Sequence, residues 1–493
     1  MSDPRHASRT DRRVFAVETT GIDVVKGSHR RGRARELFWP WFGANVSILG
    51  LSYGAFALGF GISFWQAFFA GLAGITFSFF LCGLIALAGK RGSAPTMVLS
   101  RAPFGVRGNR IPAALSWILT VGWETFLTVT ATLATATVFR ELGWGGGTLT
   151  KAVALAVVGT LIVLAGVIGF NLIMWLQTGI TIITGVLTVV YVLLVADQVN
   201  WDTVAAMPSG STQQVIGALV FLMTGFGLGW VNLAADYSRY LPRETSNRGV
   251  IGWTTFGAAC APLVLFSFGL LLAGSSPNLS EAIAADPIGA LAAALPTWFL
   301  LPFATVAILG LVGGAVLDIY SSGLALLAAG VRVRRHIAAL IDGIIMVLGT
   351  IAIVFITSNF LGQFTGFLIT LGVPIAGWCG IMLADMLNRK HDYADEELFT
   401  PRGRYGNIQW PPIFILLACT LIGWGLVTNT MAGWLDWQGY FLGLGLGGRE
   451  GDWAYANLGV LVSLVLGFVL QVLIGRARVR EQEAIDNQPV YMH

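Results

Sequence analysis

The sequence predicts an all-α polytopic membrane protein from three observations: its composition, the length of its apolar stretches and the placement of its basic residues. Of 493 residues, 55% are hydrophobic and 11% charged, against roughly 45–50% apolar and about 25% charged in soluble domains. Water cannot solvate most of such a chain. A hydrocarbon core about 30 Å thick needs roughly 20 consecutive apolar residues per helix. Twelve stretches qualify: 38–63, 66–89, 111–139, 151–170, 172–196, 214–235, 250–274, 298–329, 337–357, 362–386, 410–430 and 455–475. They are apolar on all sides, whereas membrane-barrel strands would alternate in polarity over segments of about ten residues.

Basic residues set the orientation, because Lys and Arg accumulate on the cytoplasmic side. With the N-terminus inside, 27 of the 30 basic residues fall on cytoplasmic tails and loops, leaving Arg140, Lys151 and Arg449 outside. The expected layout is a cytoplasmic polar tail over 1–37, a transmembrane domain over 38–475 and a cytoplasmic tail over 476–493, in the inner (plasma) membrane. The first 37 residues are polar and charged, so no cleaved signal peptide is expected. A net charge of +4 thus reports topology. The basic tail reads as a segment lying near anionic lipid, with no nucleic acid and no obligate protein partner implied.

Chemistry other than transport finds no motif. Cys82, Cys260, Cys379 and Cys419 lie in apolar segments without metal or CxxC spacing, and His6, His29, His336, His391 and His493 sit in tails, loops or a helix end. No metal site, cofactor or enzyme active site is expected from these. A channel would need a continuous polar path, whereas the polar groups here gather near one depth.

Two stretches look broken. The first carries Gly43, Gly50, Gly54, Gly59 and Gly61 around the polar pair Asn45 and Ser47, and the sixth carries Gly225, Gly227 and Gly229 at every second position. Close packing accounts for many membrane glycines. Their joint position carries more: in two five-helix halves of inverted topology, over 38–196 and 214–386, the first and sixth helices are counterparts, with a binding site at their interrupted midpoints. The stretches over 410–475 are then two extra helices.

Two carboxylates lie deep in apolar stretches, Glu124 in the third and Asp318 in the eighth, while Asp236, Asp342 and Asp385 fall nearer helix ends. Intramembrane charge is costly and marks substrate or proton pathways. A hydrogen bond to a neighbouring helix is the plainer alternative.

The motifs resemble the nucleobase:cation symporter-1 family in its purine and cytosine permease branch. The resemblance rests on FWPWFGANVSILGLSYGAFALGFG in the first stretch, GSAPTMVLSRAPFGVRGNRIP after the second, Gly122-Trp123, AADYSRYLP from Ala234 and LDIYSSGL from Leu317. It implies a LeuT-like fold of ten core helices in a five-plus-five inverted repeat, two further C-terminal helices, and alternating access to a central site. By the resemblance, Trp123 stacks on the planar base with Gly122 beside it, and Phe226 and Gly227 form the second wall, with Trp230 as the substitute. Asp318 stands where many members carry an Asn that contacts the base, and Gly314 replaces another frequent Asn. Glu124 adds a second acceptor; two carboxyls facing one site share a proton more readily than both ionise.

Sodium-coupled relatives hold the ion between carbonyls of the first helix and hydroxyls of the eighth. Here that stretch, ILGLVGGAVLD, has no Ser or Thr, so H+ is the favoured coupling ion and Na+ the alternative. Asp236 and Arg239 of the DYSRY motif read either as an inner gate, a carboxylate paired with a guanidinium, or as a topological anchor. The segment SPNLSEAIAADPIGALAAALP reads as an outer cap. The expected function is uptake of a purine or cytosine nucleobase by cation symport. Allantoin or hydantoins, uracil, or a thiamine or pyridoxine type of heterocycle are alternatives on the same fold, and a membrane enzyme or channel is the remoter reading.

Overall fold

The computed structural model describes residues 17–18, 21–285, 287–293, 295–356, 360–429 and 433–484. The outer parts of the two expected tails therefore lie outside the described residues. Each stretch read from the sequence contains a helix. The first is split into α1 (Phe38–Asn45) and α2 (Leu49–Leu58), and α3 (Phe64–Gly92), α4 (Arg110–Glu141), α5 (Thr148–Ile168) and α6 (Phe170–Val195) follow. After α7 (Thr212–Gly225) and α8 (Asn247–Ser275) come the short α9 (Pro277–Ala285) and α10 (Gly289–Ala293), then α11 (Leu300–Ala328), α12 (Arg335–Phe355), α13 (Phe360–Asn388), α14 (Trp410–Trp424) and α15 (Gly459–Ala484). Among the described residues ten helices are long and apolar enough to cross a membrane, and the Ala34–Asn45 and Leu49–Leu58 segments form one further span bent by 66°. The α14 helix is shorter than a full crossing, and α15 runs past the expected boundary at 475 to Ala484.

Local sequence explains the starts and breaks. Ser63 and Gln66 form a capping box at α3, and Ser211 and Gln214 form another at α7, which satisfies amides that helix starts leave free. The Gln66 side chain also bonds the Gly210 backbone, donating to O at 2.9 Å and accepting from N at 2.8 Å, and so ties the two caps together. The first span breaks at Val46, where Ser47 N turns back to Asn45 O and Gly50 N to Ser47 O. The sixth span breaks at Phe226, after which Gly227–Gly229 and Val231–Leu233 run as 3₁₀ turns. Three glycines, each about 1 kcal/mol poorer than Ala in a helix, sit where the sixth helix ends.

The outward surface is apolar: Phe69 is 59% exposed, Leu193 71% and Leu348 60%. This is a lipid-facing belt. Inside, helices approach through glycine; a Cβ on Gly54 or Gly269 would collide with the backbone of the other's helix. The cap segment forms α9 and α10, and the Pro287 carbonyl between them accepts from Ser52 Oγ of α2 at 3.2 Å. The N-terminal end of α4 meets the C-terminal end of α11, since a Cβ on Gly330 would lie 2.8 Å from Arg110 Nε. These two long central helices are therefore antiparallel, and both reach the end of the bundle where Arg30–Arg35, Lys90 and Arg332–Arg335 gather, the basic end.

Candidate functional site

Trp123 of α4 is buried beside the break of the sixth span, where a Cβ on Gly229 would stand 2.9 Å from its Nε1. Only glycine lets the indole lie this close to the turn. Phe126 and Phe364 brace the ring edge-on at 5.7 and 5.1 Å between centroids, and these two stack on each other at 3.8 Å. From the first span, Trp41 packs edge-on against Trp230 at 5.8 Å and against Tyr237 at 5.7 Å.

A Cβ on Gly314 of α11 would touch Leu127 of α4 at 2.9 Å and Ala44 O of α1 at 3.5 Å. One turn along each of these antiparallel helices, on the same faces, Asp318 comes level with Trp123. Asp318 is 1% exposed, and its Oδ2 has no hydrogen-bond partner, nor have Trp123 Nε1 and Trp41 Nε1. Beside Asp318, the Leu317 carbonyl accepts from Tyr237 Oη at 2.9 Å, and Ser321 Oγ shares a hydrogen bond with the same hydroxyl at 3.0 Å. Buried polar atoms without partners are costly, about 1–3 kcal/mol each and more when charged. Here one acceptor and two donors of that kind sit among aromatic faces around the two breaks.

The other expected site residues fall around this layer in different ways. Glu124, one position on from Trp123, turns toward α11 and α12, where its neighbours are Asp342, Ser322 and Asp318; both of its oxygens lack a partner. Phe226 lies against Tyr53 at 4.5 Å and Phe79 at 6.3 Å. Gly227 backs onto α3, its N–H donating to Ser78 Oγ and its carbonyl accepting from Cys82 Sγ, both at 3.1 Å. Trp230 rather than Phe226 therefore shares the layer of Trp41. Asn45 Nδ2 donates to Trp41 O at 2.8 Å, and Ser47 Oγ accepts from Leu49 N at 3.4 Å, so both shape the break itself. Gly122 makes room for the Phe367 ring of α13. Asp342 and Asp385, read from sequence as nearer helix ends, are 0% and 1% exposed. The Asp385 carboxylate is met by both Arg389 Nε and Nη2, at 2.6 and 3.1 Å, while Asp342 has no cationic partner.

Where α1 ends against α11, Cβ atoms on Gly310 and Gly313 would lie 2.8 Å from Val46 O and 2.9 Å from Gly43 O. Gln177 of α6, which sequence reasoning missed, reaches into this contact. Its Nε2 donates to Gly313 O at 2.6 Å, and its Oε1, without a partner of its own, lies against Gly43. Its lone signal in the sequence is an amide in an apolar stretch.

At the basic end, Asp236 and Arg239 do not pair. Asp236 Oδ1 accepts from Thr96 N and Oγ1, both at 2.7 Å. Arg239 Nη2 donates instead to Glu18 Oε1 at 3.1 Å and to Tyr320 Oη at 2.7 Å, and Nη1 to Gly21 O at 2.8 Å. Glu18 Oε1 also accepts from Tyr240 Oη at 2.9 Å, and Glu18 Oε2 from Phe170 N at 3.0 Å. Residues of the expected tail thus close this end.

Comparison with known proteins places the arrangement. A family model described as permease for cytosine/purines, uracil, thiamine, allantoin matches residues 24–443. A Bacillus subtilis (strain 168) protein named "Putative purine-cytosine permease YxlA" is 23% identical over 410 residues, covering 80% of this chain and 84% of that protein. Among solved structures, the nucleobase-cation-symport-1 family transporter Mhp1, closed with bromovinylhydantoin bound, superposes with a TM-score of 0.68 at 17% identity, covering 94% of this chain and 99% of its own. A Na+-coupled sialic acid symporter in a substrate-bound outward-open state gives 0.61 at 12% identity, covering 94% and 93%. At these identities the superpositions speak for the fold alone, which is LeuT-like.

Proposed function

The chain belongs to the family of permeases for cytosine/purines, uracil, thiamine and allantoin and is a multi-pass membrane transporter rather than an enzyme; from that premise we propose that it imports a purine or cytosine nucleobase by proton symport, through alternating access to the layer around Trp123 and Asp318. The observation that carries this reading is the buried pair at one level: an indole face beside the sixth-span break and a carboxyl whose Oδ2 has no partner. An aromatic face holds any flat heterocycle, and polar side chains select its edge. Asp318 accepts from a ring N–H or exocyclic amine, as cytosine and adenine offer. The same carboxylate also suits a cationic heterocycle of the thiamine type, which is the second reading.

Proton coupling is favoured by the contact between α1 and α11. Sodium needs several oxygen ligands; here Gly310, Gly313 and Gly314 bring no hydroxyl, and the Gln177 amide already donates to the Gly313 carbonyl. Glu124 and Asp318 are carboxyls able to carry the proton instead. The basic end is then cytoplasmic, in the inner membrane, closed by Glu18 and Arg239, with the α9–α10 cap outside.

The test is uptake of labelled cytosine and adenine into proteoliposomes under an imposed inward proton gradient, an imposed inward sodium gradient, or neither. Accumulation driven by protons is expected. Accumulation driven by sodium alone overturns the coupling, and lack of uptake of both bases moves the substrate to another planar heterocycle.

A further inference from the structure

Between the central layer and the basic end lies a chain of buried polar groups in which the transport reading uses Glu124 and Asp318 but not Ser322 and Asp342. Asp342 of α12 is 0% exposed, yet its Oδ1 accepts from Trp117 Nε1 of α4 at 2.7 Å and its Oδ2 from Ser322 Oγ of α11 at 3.0 Å. Ser322 is one turn on from Asp318, and Ser322, Asp342 and Asp318 all lie within electrostatic reach of Glu124. Three helices thus bring three carboxyls and a hydroxyl together in the apolar interior. Among the described residues no Lys, Arg or His forms an ion pair with them. On the same helix, Arg335 is spent on the Gly166 and Val167 carbonyls and on Glu18, His336 lines the cavity at the basic end, and α5 brings Val163 against the neighbouring Gly343.

The far end of this chain approaches water. A cavity of about 650 Å³ at the basic end is bounded by Glu18, Asp23, Arg110, Leu327 and His336. Ile22, Leu327 and Val333 of its lining belong to a small apolar cluster with Leu326 and Ala338, against which Trp117 and Ile341 also pack. Trp117 therefore packs behind the cavity lining and is at the same time the hydrogen-bond donor to Asp342.

We propose that Asp342, through Ser322, is the proton exit of the transporter, connecting Glu124 to the cavity at the basic end. This rests on the proton-symport reading above. The step balances within the chain: a protonated Glu124 gives its proton to Ser322 Oγ while the Ser322 hydroxyl proton passes to the Asp342 carboxylate. Glu124 is left as carboxylate and Asp342 as carboxylic acid. Movement of the cluster that holds Ile22 and Trp117 then lets Asp342 release the proton to water. The geometry suits a relay, because a hydroxyl accepts on one lone pair while donating its own hydrogen, and Ser322 already donates to Asp342.

The test follows the proton itself. In reconstituted protein transferred to deuterated buffer, the carboxylic C=O band that disappears in Glu124→Gln reports exchange at Glu124 by infrared difference spectroscopy. Asp342→Asn and Ser322→Ala are each expected to slow that exchange at least tenfold, and Asp342→Glu to restore it. Exchange at the wild-type rate in well-folded Ser322→Ala and Asp342→Asn overturns the proposal, as does a wild-type protein with no Glu124-dependent carboxylic band. Sodium-driven uptake by the wild type would sink the coupling reading and leave the exchange result standing, so the two failures are distinguishable.

Discussion

Two charged regions of this bundle handle the same problem in opposite ways. At the basic end, Glu18 is met by Arg239, Tyr240, Tyr320 and the Phe170 amide, and of the Arg239 nitrogens only Nε lacks a partner. At mid-bundle, Glu124 has two unpartnered oxygens and Asp318 one. Desolvated charge is tolerated when it is paired and hydrogen-bonded, so the first region reads as a lock. Retention of unpaired carboxyls in an apolar interior has no such structural return, so the second reads as a place where protons or ligand groups come and go. Burial alone does not separate the two, because Arg239 is as inaccessible to water as Glu124 and Asp318; partnership does.

The largest expected effect falls on the central layer, where removal of a side chain should cost transport rather than the lock. Trp123→Ala should reduce saturable uptake of the transported base at least a hundredfold while the protein still reaches the membrane, whereas Trp123→Phe keeps an aromatic face and part of the activity. Gly229→Ala should phenocopy a weaker form, because its Cβ must push against Trp123 Nε1 at 2.9 Å. Uptake kinetics on matched amounts of membrane protein check both. Wild-type uptake by Trp123→Ala would remove the indole from the site and leave Trp41 and Trp230 as the aromatic faces.

Next in size is the lock. Arg239→Ala removes a cation that is 0% exposed and leaves Glu18 with hydroxyl and amide donors and a longer contact to Arg335 at 4.0 Å. Breaking a buried pair by removal of one partner costs about 3–5 kcal/mol. A fall in the thermal midpoint of the detergent-solubilised protein is expected, together with faster alkylation of a cysteine placed at Ser321 from the basic end. An unchanged midpoint and unchanged labelling would mean that the helices, not the Glu18–Arg239 contact, close that end.

How much of this was legible in the sequence depends on the kind of signal. Span positions and the two breaks follow from apolar length and glycine clustering, properties local to each stretch, and most helices start and end close to the expected residues, α14 and α15 departing most. The depth of Glu124 and Asp318 was legible for the same reason. What the sequence could not give was direction. Glu124 and Trp123 are neighbours in the chain, but successive residues on a helix point about 100° apart, so one faces the sixth-span break and the other faces Asp342. Phe226 and Trp230 differ in the same way, because the 3₁₀ turns after the break change the rotation per residue. Partners distant in sequence were equally hidden: Glu18 with Arg239, Gln177 with Gly313, and Asp342 with Trp117 and Ser322. The DYSRY motif suggested a pairing within itself, but Asp236 is held by Thr96 in the α3–α4 connection, and the partners of Arg239 lie in the N-terminal segment and on the helix that carries Asp318.

A third charged region sharpens the comparison at its weak end. Asp395, in the connection between α13 and α14, meets Arg243 at 2.6 Å and Arg30 at 3.6 Å, which resembles the lock on paper. Yet its Oδ1 lacks a partner, the Arg243 side chain is 35% exposed, and burial raises the Asp395 pKa above its ordinary value despite both guanidinium groups. A folded-state pKa above the unfolded value means that the folded state binds the proton more tightly. Stability from this group is therefore fully present below the unfolded pKa and declines as pH rises through the folded one, the opposite of a stabilising carboxylate. Exposed ion pairs contribute about 0–1 kcal/mol, so Asp395→Asn should leave the thermal midpoint at neutral pH nearly unchanged or slightly raised, and should flatten any loss of stability between acidic and neutral pH. A fall as large as that of Arg239→Ala would show that proximity to two arginines suffices for a lock even at a wetted surface, and partnership would lose its power to tell the regions apart.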